Sequence, residues 1–126
     1  MPITTDVRSD GGVLVTVDGP FIVHEVVEAN AYINQTLHAD HVVPYELWDL
    51  TRCDLSAVQV PNDYETLEVV EGTNPDSLVV IVANSDLAFG LSRMWQTRAG
   101  EDFYETHVLR TMEEAEALLK QRLSQK

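Results

Sequence analysis

Ser77 to Trp95 reads SLVVIVANSDLAFGLSRMW, and the organisation of the chain follows from that stretch. Leu78, Val79, Val80, Ile81, Val82 and Ala83 are apolar in succession, without the polar alternation of a strand that has one wet face. The run therefore predicts a central strand covered on both sides. Asn84, Ser85 and Asp86 then offer side-chain acceptors to free helix N–H groups, and Leu87, Leu91, Met94 and Trp95 follow at helical spacing. A buried strand running into a capped helix is one βα step, and one step predicts others on either side.

Upstream, Ile3 to Arg8 and Val13 to Asp18 read as two strands joined through Ser9-Asp10-Gly11-Gly12, where glycine tolerates the positive φ of a tight hairpin. Gly19-Pro20 ends the second strand. From Ile22 to about His38, the residues Ile22, Val26, Ala29, Ile33 and Leu37 form one apolar stripe, with Glu25, Glu28 and Gln35 left for solvent. Val42 to Thr51 reads as the third strand, with Tyr45, Leu47, Asp49 and Thr51 on one face and Glu46, Trp48, Leu50 and Arg52 on the other. A shorter helix is expected after Pro61-Asn62-Asp63, bearing Tyr64, Leu67 and Val70 and ending at Gly72. Phe103 to Leu109 is the last strand, and Thr111-Met112-Glu113-Glu114 matches a capping box ahead of Ala115, Leu118, Leu119 and Leu123. The expected layout is one α/β domain over residues 1–126, β-β-α-β-α-β-α-β-α, with a mostly parallel five-stranded sheet and an antiparallel first strand at its edge.

Composition narrows the function. The chain has 126 residues, 44% hydrophobic and 23% charged, which suits a single globular domain. Eight Lys and Arg stand against 21 Asp and Glu, and a formal charge of −13 opposes nucleic acid and anionic membranes alike. No apolar run is long enough to span a bilayer. Cys53, the one cysteine, allows no internal disulfide and suits a reducing cytoplasm.

With Val13-Leu14-Val15-Thr16-Val17-Asp18-Gly19-Pro20-Phe21 before a helix, Leu47-Trp48-Asp49-Leu50-Thr51 in the third strand, Val79-Val80-Ile81-Val82-Ala83-Asn84 leading to Phe89-Gly90-Leu91-Ser92-Arg93-Met94, and Glu113-Glu114-Ala115 near the end, almost the whole chain resembles the SpoIIAA-like family, the STAS/SEC14-type small bacterial domains. The resemblance implies the fold just described. Its better-known STAS branch, the anti-sigma factor antagonists, carries a phosphorylated serine in Asp-Ser-Ser/Thr-Gly, which would nominate Ser56 or, second, Thr51. Here the region reads Asp54-Leu55-Ser56-Ala57-Val58-Gln59, without the second hydroxyl or the glycine, so a phosphoswitch is the minor reading. The SEC14 side implies a nonpolar, lipid-like ligand.

Open α/β sheets bind ligands at the carboxyl ends of their strands, which here offer Asp49, Thr51 and Arg52, then Asn84, Ser85 and Asp86. The plainer reading is that Asp49 ties down the following turn, Asn84 and Asp86 cap the helix, and Arg52 neutralises them. His38 and His41 bracket Asp40, and with His24 or His107 they resemble a metal set only loosely; solvated histidines at a helix end account for them better, and no metal is expected. Cys53 lacks an activating histidine or a second cysteine. No nucleophile elbow, P-loop or dinucleotide fingerprint occurs, so neither an enzyme nor a cofactor is expected. What is left is a non-enzymatic binding or regulatory module. Trp48, Asp49, Phe89, Gly90, Met94 and Trp95 are its candidate contact residues, for a protein partner or a second copy of the chain in the first instance, and otherwise for an apolar small molecule between the third helix and the sheet.

Overall fold

Strands in this protein pair with their neighbours in sequence. The computed structural model describes residues 3–20, 23–37, 43–54, 78–86, 88–90, 92–93, 96–97 and 105–124. Its strands are β1 (Ile3–Val7), β2 (Val13–Pro20), β3 (Glu46–Asp54), β4 (Leu78–Val82) and β5 (Glu105–Leu109), in one sheet of order β1-β2-β3-β4-β5. β1 runs antiparallel to β2 at the edge, and β2, β3, β4 and β5 are mutually parallel. The α/β architecture read from the sequence is thus the observed one. All five residues of β4 are buried, because helices cover it from both sides.

The helix after β2 is α1 (Val23–Tyr32), which continues as a π-helical turn over Ile33–Leu37. The sequence stripe predicted one uninterrupted α-helix here. Successive steps of four, from Ala29 to Ile33 to Leu37, drift around an α-helix, and underwinding the last turn keeps Ile33 and Leu37 both on the sheet, where both are buried. Glu25, expected in solvent, instead has a buried carboxylate oxygen. The third predicted helix is seen at positions 86, 88–90, 92–93 and 96–97, and is called α2. The helix predicted after Pro61 lies outside the described residues. α3 (Met112–Ser124) starts at the predicted Thr111 cap: Glu114 N–H donates to Thr111 Oγ1 at 3.1 Å, and the Glu114 side chain turns back to accept from that hydroxyl at 3.2 Å, in place of the backbone N–H of a full capping box.

Alternation along each strand divides the core. Val13, Val15, Val17, Trp48, Leu50, Val79, Ile81 and Val108 face α1, packing with Val26, Ile33 and Leu37. Tyr45, Leu47, Leu78, Val80 and Val82 face the other way and pack with Ala115 and Leu119 of α3. At the hairpin, Arg8 N–H donates to Gly12 O at 2.7 Å and Gly11 N–H to Arg8 O at 2.9 Å, with Gly11 at φ 87°. This is a three-residue loop closed by a glycine bulge, one residue longer than the tightest turn.

The loop is clamped from below. Tyr45, 1% exposed, donates its hydroxyl to both oxygens of Asp10 at 2.9 and 2.8 Å, and Gly12 N–H donates to Asp10 Oδ1 at 2.9 Å. Burial alone would hinder ionisation of Asp10, but these two donors and nearby Arg8 hold its carboxyl below the usual range. Burial and the bond to Asp10 push the Tyr45 hydroxyl up. Arg8 in turn forms a two-pronged pair with Glu116 of α3, at 2.7 and 2.9 Å, linking the hairpin to the opposite end of the chain.

Candidate functional site

The carboxyl ends of the strands are locally satisfied. Asp49 Oδ1 accepts from Thr51 N–H at 3.0 Å and from Thr51 Oγ1 at 2.7 Å, so Asp49 braces its own strand and the Thr51 hydroxyl is already engaged as a donor. Arg52 reaches Asp18 at 4.0 Å across two exposed side chains, rather than the acids after β4. Ser56 lies outside the described residues. After β4 the cap is Ser85, neither Asn84 nor Asp86: Ala88 N–H donates to Ser85 Oγ at 3.1 Å and Phe89 N–H to Ser85 O at 2.8 Å. Asp86 instead pairs with Arg110 at 3.1 Å, because Arg110 follows β5, the strand next to β4, and stands within reach. Ser85→Ala is expected to cost about 1 kcal/mol of stability and Asn84→Ala close to nothing, as urea denaturation midpoints will show.

Of the aromatic and flexible candidates, Trp48 is a core residue of the α1 face, 8% exposed, and its indole N–H donates to Glu46 Oε1 at 3.0 Å. Phe89 is half-buried against the same cluster, and the Arg110 guanidinium lies 4.0 Å from its ring centroid. Gly90 is exposed, and among the described residues nothing stands within 4 Å of the place a Cβ would take, so the close neighbour expected for a helical glycine is not seen there. The side chains of Met94 and Trp95 lie outside the described residues. The structure therefore brings Trp48 and Phe89 into one apolar cluster, leaves Asp49 with Thr51, and places Gly90 in solvent. Cys53 is half-buried against that cluster, and burial, with the Asp54 carboxylate beside it, pushes its thiol up to about 11, the wrong direction for a nucleophile.

Two features were not singled out from the sequence. The first is Glu46, 1% exposed, on the α1 face between Val13 and Val79 of the flanking strands. Burial raises its carboxyl to about 7, with only the Trp48 bond working the other way, and its Oε2 has no partner among the described residues. A carboxyl sealed this way meets no solute, so its role is in folding energetics. The alternation Glu46, Trp48, Leu50 already put it on a buried face. Elsewhere, Glu105 accepts from both Arg122 nitrogens and lies 2.6 Å from His107 Nε2, and Arg122 above all holds its carboxyl down to about 2. Among the described residues no three His, Cys, Asp or Glu side chains converge as a metal set.

The second feature is the outer edge of β1. The hairpin makes Arg8 opposite Gly12 a hydrogen-bonded pair, so by strict alternation Asp6 and Thr4 bond to β2 while the N–H and C=O groups of Ile3, Thr5 and Val7 point outward. Among the described residues no strand lies on that side. Val7 is 51% exposed and Tyr32 is 48% exposed, the two large apolar side chains left most open to solvent among those described. α1 touches β1, and Tyr32 is in the last turn of α1. Among the described residues, no helix is long and apolar enough to cross a membrane. Comparison with protein-family models finds no match, and comparison with curated protein sequences finds none either.

Proposed function

We propose that this chain is a non-enzymatic, SpoIIAA-like binding module of the cytoplasm that acts through protein–protein contacts. The observation that carries the reading is the outer edge of β1: regular over five residues, in unbroken register with β2, and bearing exposed Val7. Protein edges are commonly blunted by proline, lysine or a bulge, and β1 has none of these within Ile3–Val7. Such an edge suits an added strand, whose main chain supplies affinity and whose side chains supply selectivity.

The alternative, an apolar small molecule between α2 and the sheet, draws less support. Ala88 and Ala83, at 1% and 0% exposure, bring the start of α2 close onto the end of β4, and Arg110 lies over Phe89. The test is a photoreactive benzoylphenylalanine in place of Val7, irradiated in living cells. A defined adduct at this position, absent when the probe replaces exposed Lys120 on α3, is the expected result. Equal, diffuse labelling from both positions would remove the protein–protein reading.

A further inference from the structure

We propose that the edge of β1 pairs with β1 of a second copy of this chain, antiparallel and centred on Thr5, so that two sheets become one. The proposal rests on the protein–protein reading above and names the partner.

Register selects the second copy. A two-fold axis at Thr5 sets Thr5 opposite Thr5 of the other copy, Ile3 opposite Val7, and Thr4 opposite Asp6. The outward groups of Ile3, Thr5 and Val7 then all meet partners, since these are the residues whose N–H and C=O face away from β2. On the α1 face the seam carries half-buried Ile3 against exposed Val7, flanking a threonine pair, a combination that stabilises antiparallel strands. On the other face Asp6 meets Thr4, so no carboxylate stands directly opposite another. Apolar residues at both ends and threonine at the centre make ITTDV complementary to its own reversal. The two-fold axis puts the two copies of α1, the helix that touches β1, on the same side of the joined sheet.

Charge at the edge itself does not select a basic partner. A chain at −13 would attract a basic strand, but β1 presents one carboxylate, and the neighbouring cation Arg8 is committed to Glu116. The edge is written in Ile, Thr and Val, with little for a cationic strand to read. Two acidic copies instead repel at long range, and salt relieves that repulsion within a Debye length of about 10 Å at 0.1 M. A self-complementary edge on an acidic body therefore gives association that strengthens with salt, the opposite of a basic partner.

The experiment uses the full chain with Cys53→Ser as background. Thr5→Cys is expected to form a disulfide-linked dimer under mild oxidant at least about tenfold faster than Thr4→Cys, because a hydrogen-bonded antiparallel pair holds facing Cα atoms about 5.5 Å apart, within disulfide range. In light scattering, the dimer dissociation constant is expected to tighten by about tenfold between about 0.05 and 0.5 M sodium chloride. Thr5→Pro removes an outward N–H, leaves the bonds to β2 in place, and is expected to keep the wild-type circular dichroism while weakening the dimer at least about tenfold. Equal oxidation rates for the two cysteine variants, or a monomer at every salt concentration, would overturn the proposal. If Val7 photocrosslinks to a different protein while the chain stays monomeric, the second copy is wrong and the protein–protein reading stands. If neither is seen, both fall.

Discussion

Glu46→Gln is expected to leave the protein within about 1 kcal/mol of wild type at pH 5 and about 3 kcal/mol more stable at pH 8. Burial raises the Glu46 carboxyl from an ordinary 4.5 to about 7. Between those values the native state holds a proton that the unfolded chain releases, so wild-type stability is complete below about pH 4.5 and falls as pH rises through about 7. Above that, a buried carboxylate remains in an apolar layer with one bond, from Trp48. Glutamine has the shape of the neutral acid and no proton to lose. Urea denaturation at pH 5, 7 and 8 checks this, and the difference between the two proteins cancels every titration they share. Parallel pH profiles would show that Glu46 is not the group responsible.

Gly12→Ala is expected to cost roughly 3–5 kcal/mol, a large part of the ~5–15 kcal/mol that holds a domain together. A Cβ on residue 12 would stand 2.1 Å from Cζ of Tyr45, and 2.4 and 2.5 Å from its two Cε atoms. The ring has no room to withdraw, being 1% exposed and moored to Asp10, which is moored to the same glycine. Accommodating the methyl means breaking the Tyr45–Asp10 bonds as well as compressing the core. Thermal unfolding of Gly12→Ala, Tyr45→Leu and the double variant measures the coupling: in the Tyr45→Leu background, alanine at position 12 should cost under half as much. Strict additivity would mean that the clash relaxes elsewhere.

The fold was legible wherever a local pattern had one physical solution. The unbroken apolar run of β4, the positive φ of Gly11 in the hairpin and the Thr111 cap each specify a geometry from within a few residues, and each is found. Departures came where partners distant in sequence decide. The alternation of β3 correctly assigned Asp49 and Glu46 to opposite faces, but only the packing of α1 shows that Glu46 is the acid sealed from water while Asp49 bonds to Thr51. Likewise Ser85 and Asp86 both qualify as caps by type, and Arg110, 24 residues later, draws Asp86 away. The candidate site was legible least. Exposure of Val7 depends on which strand ends the sheet, and Gly12 matters through a ring 33 residues downstream.

The strand order also has a consequence for how the chain is made. Val13 finds its partner Glu46 after 33 residues, Glu46 finds Val79 after another 33, and Val79 finds Thr106 after 27. From β2 onward, each strand therefore leaves the ribosome with a strand it will pair with already synthesised, and the sheet can lengthen in one direction during translation. The exception is the second face. Leu47, Val80 and Val82 are covered by Ala115 and Leu119, so from the emergence of β3 until α3 is released that apolar surface stays open, and a ribosome-bound intermediate stalled before residue 112 is the species that a chaperone would hold.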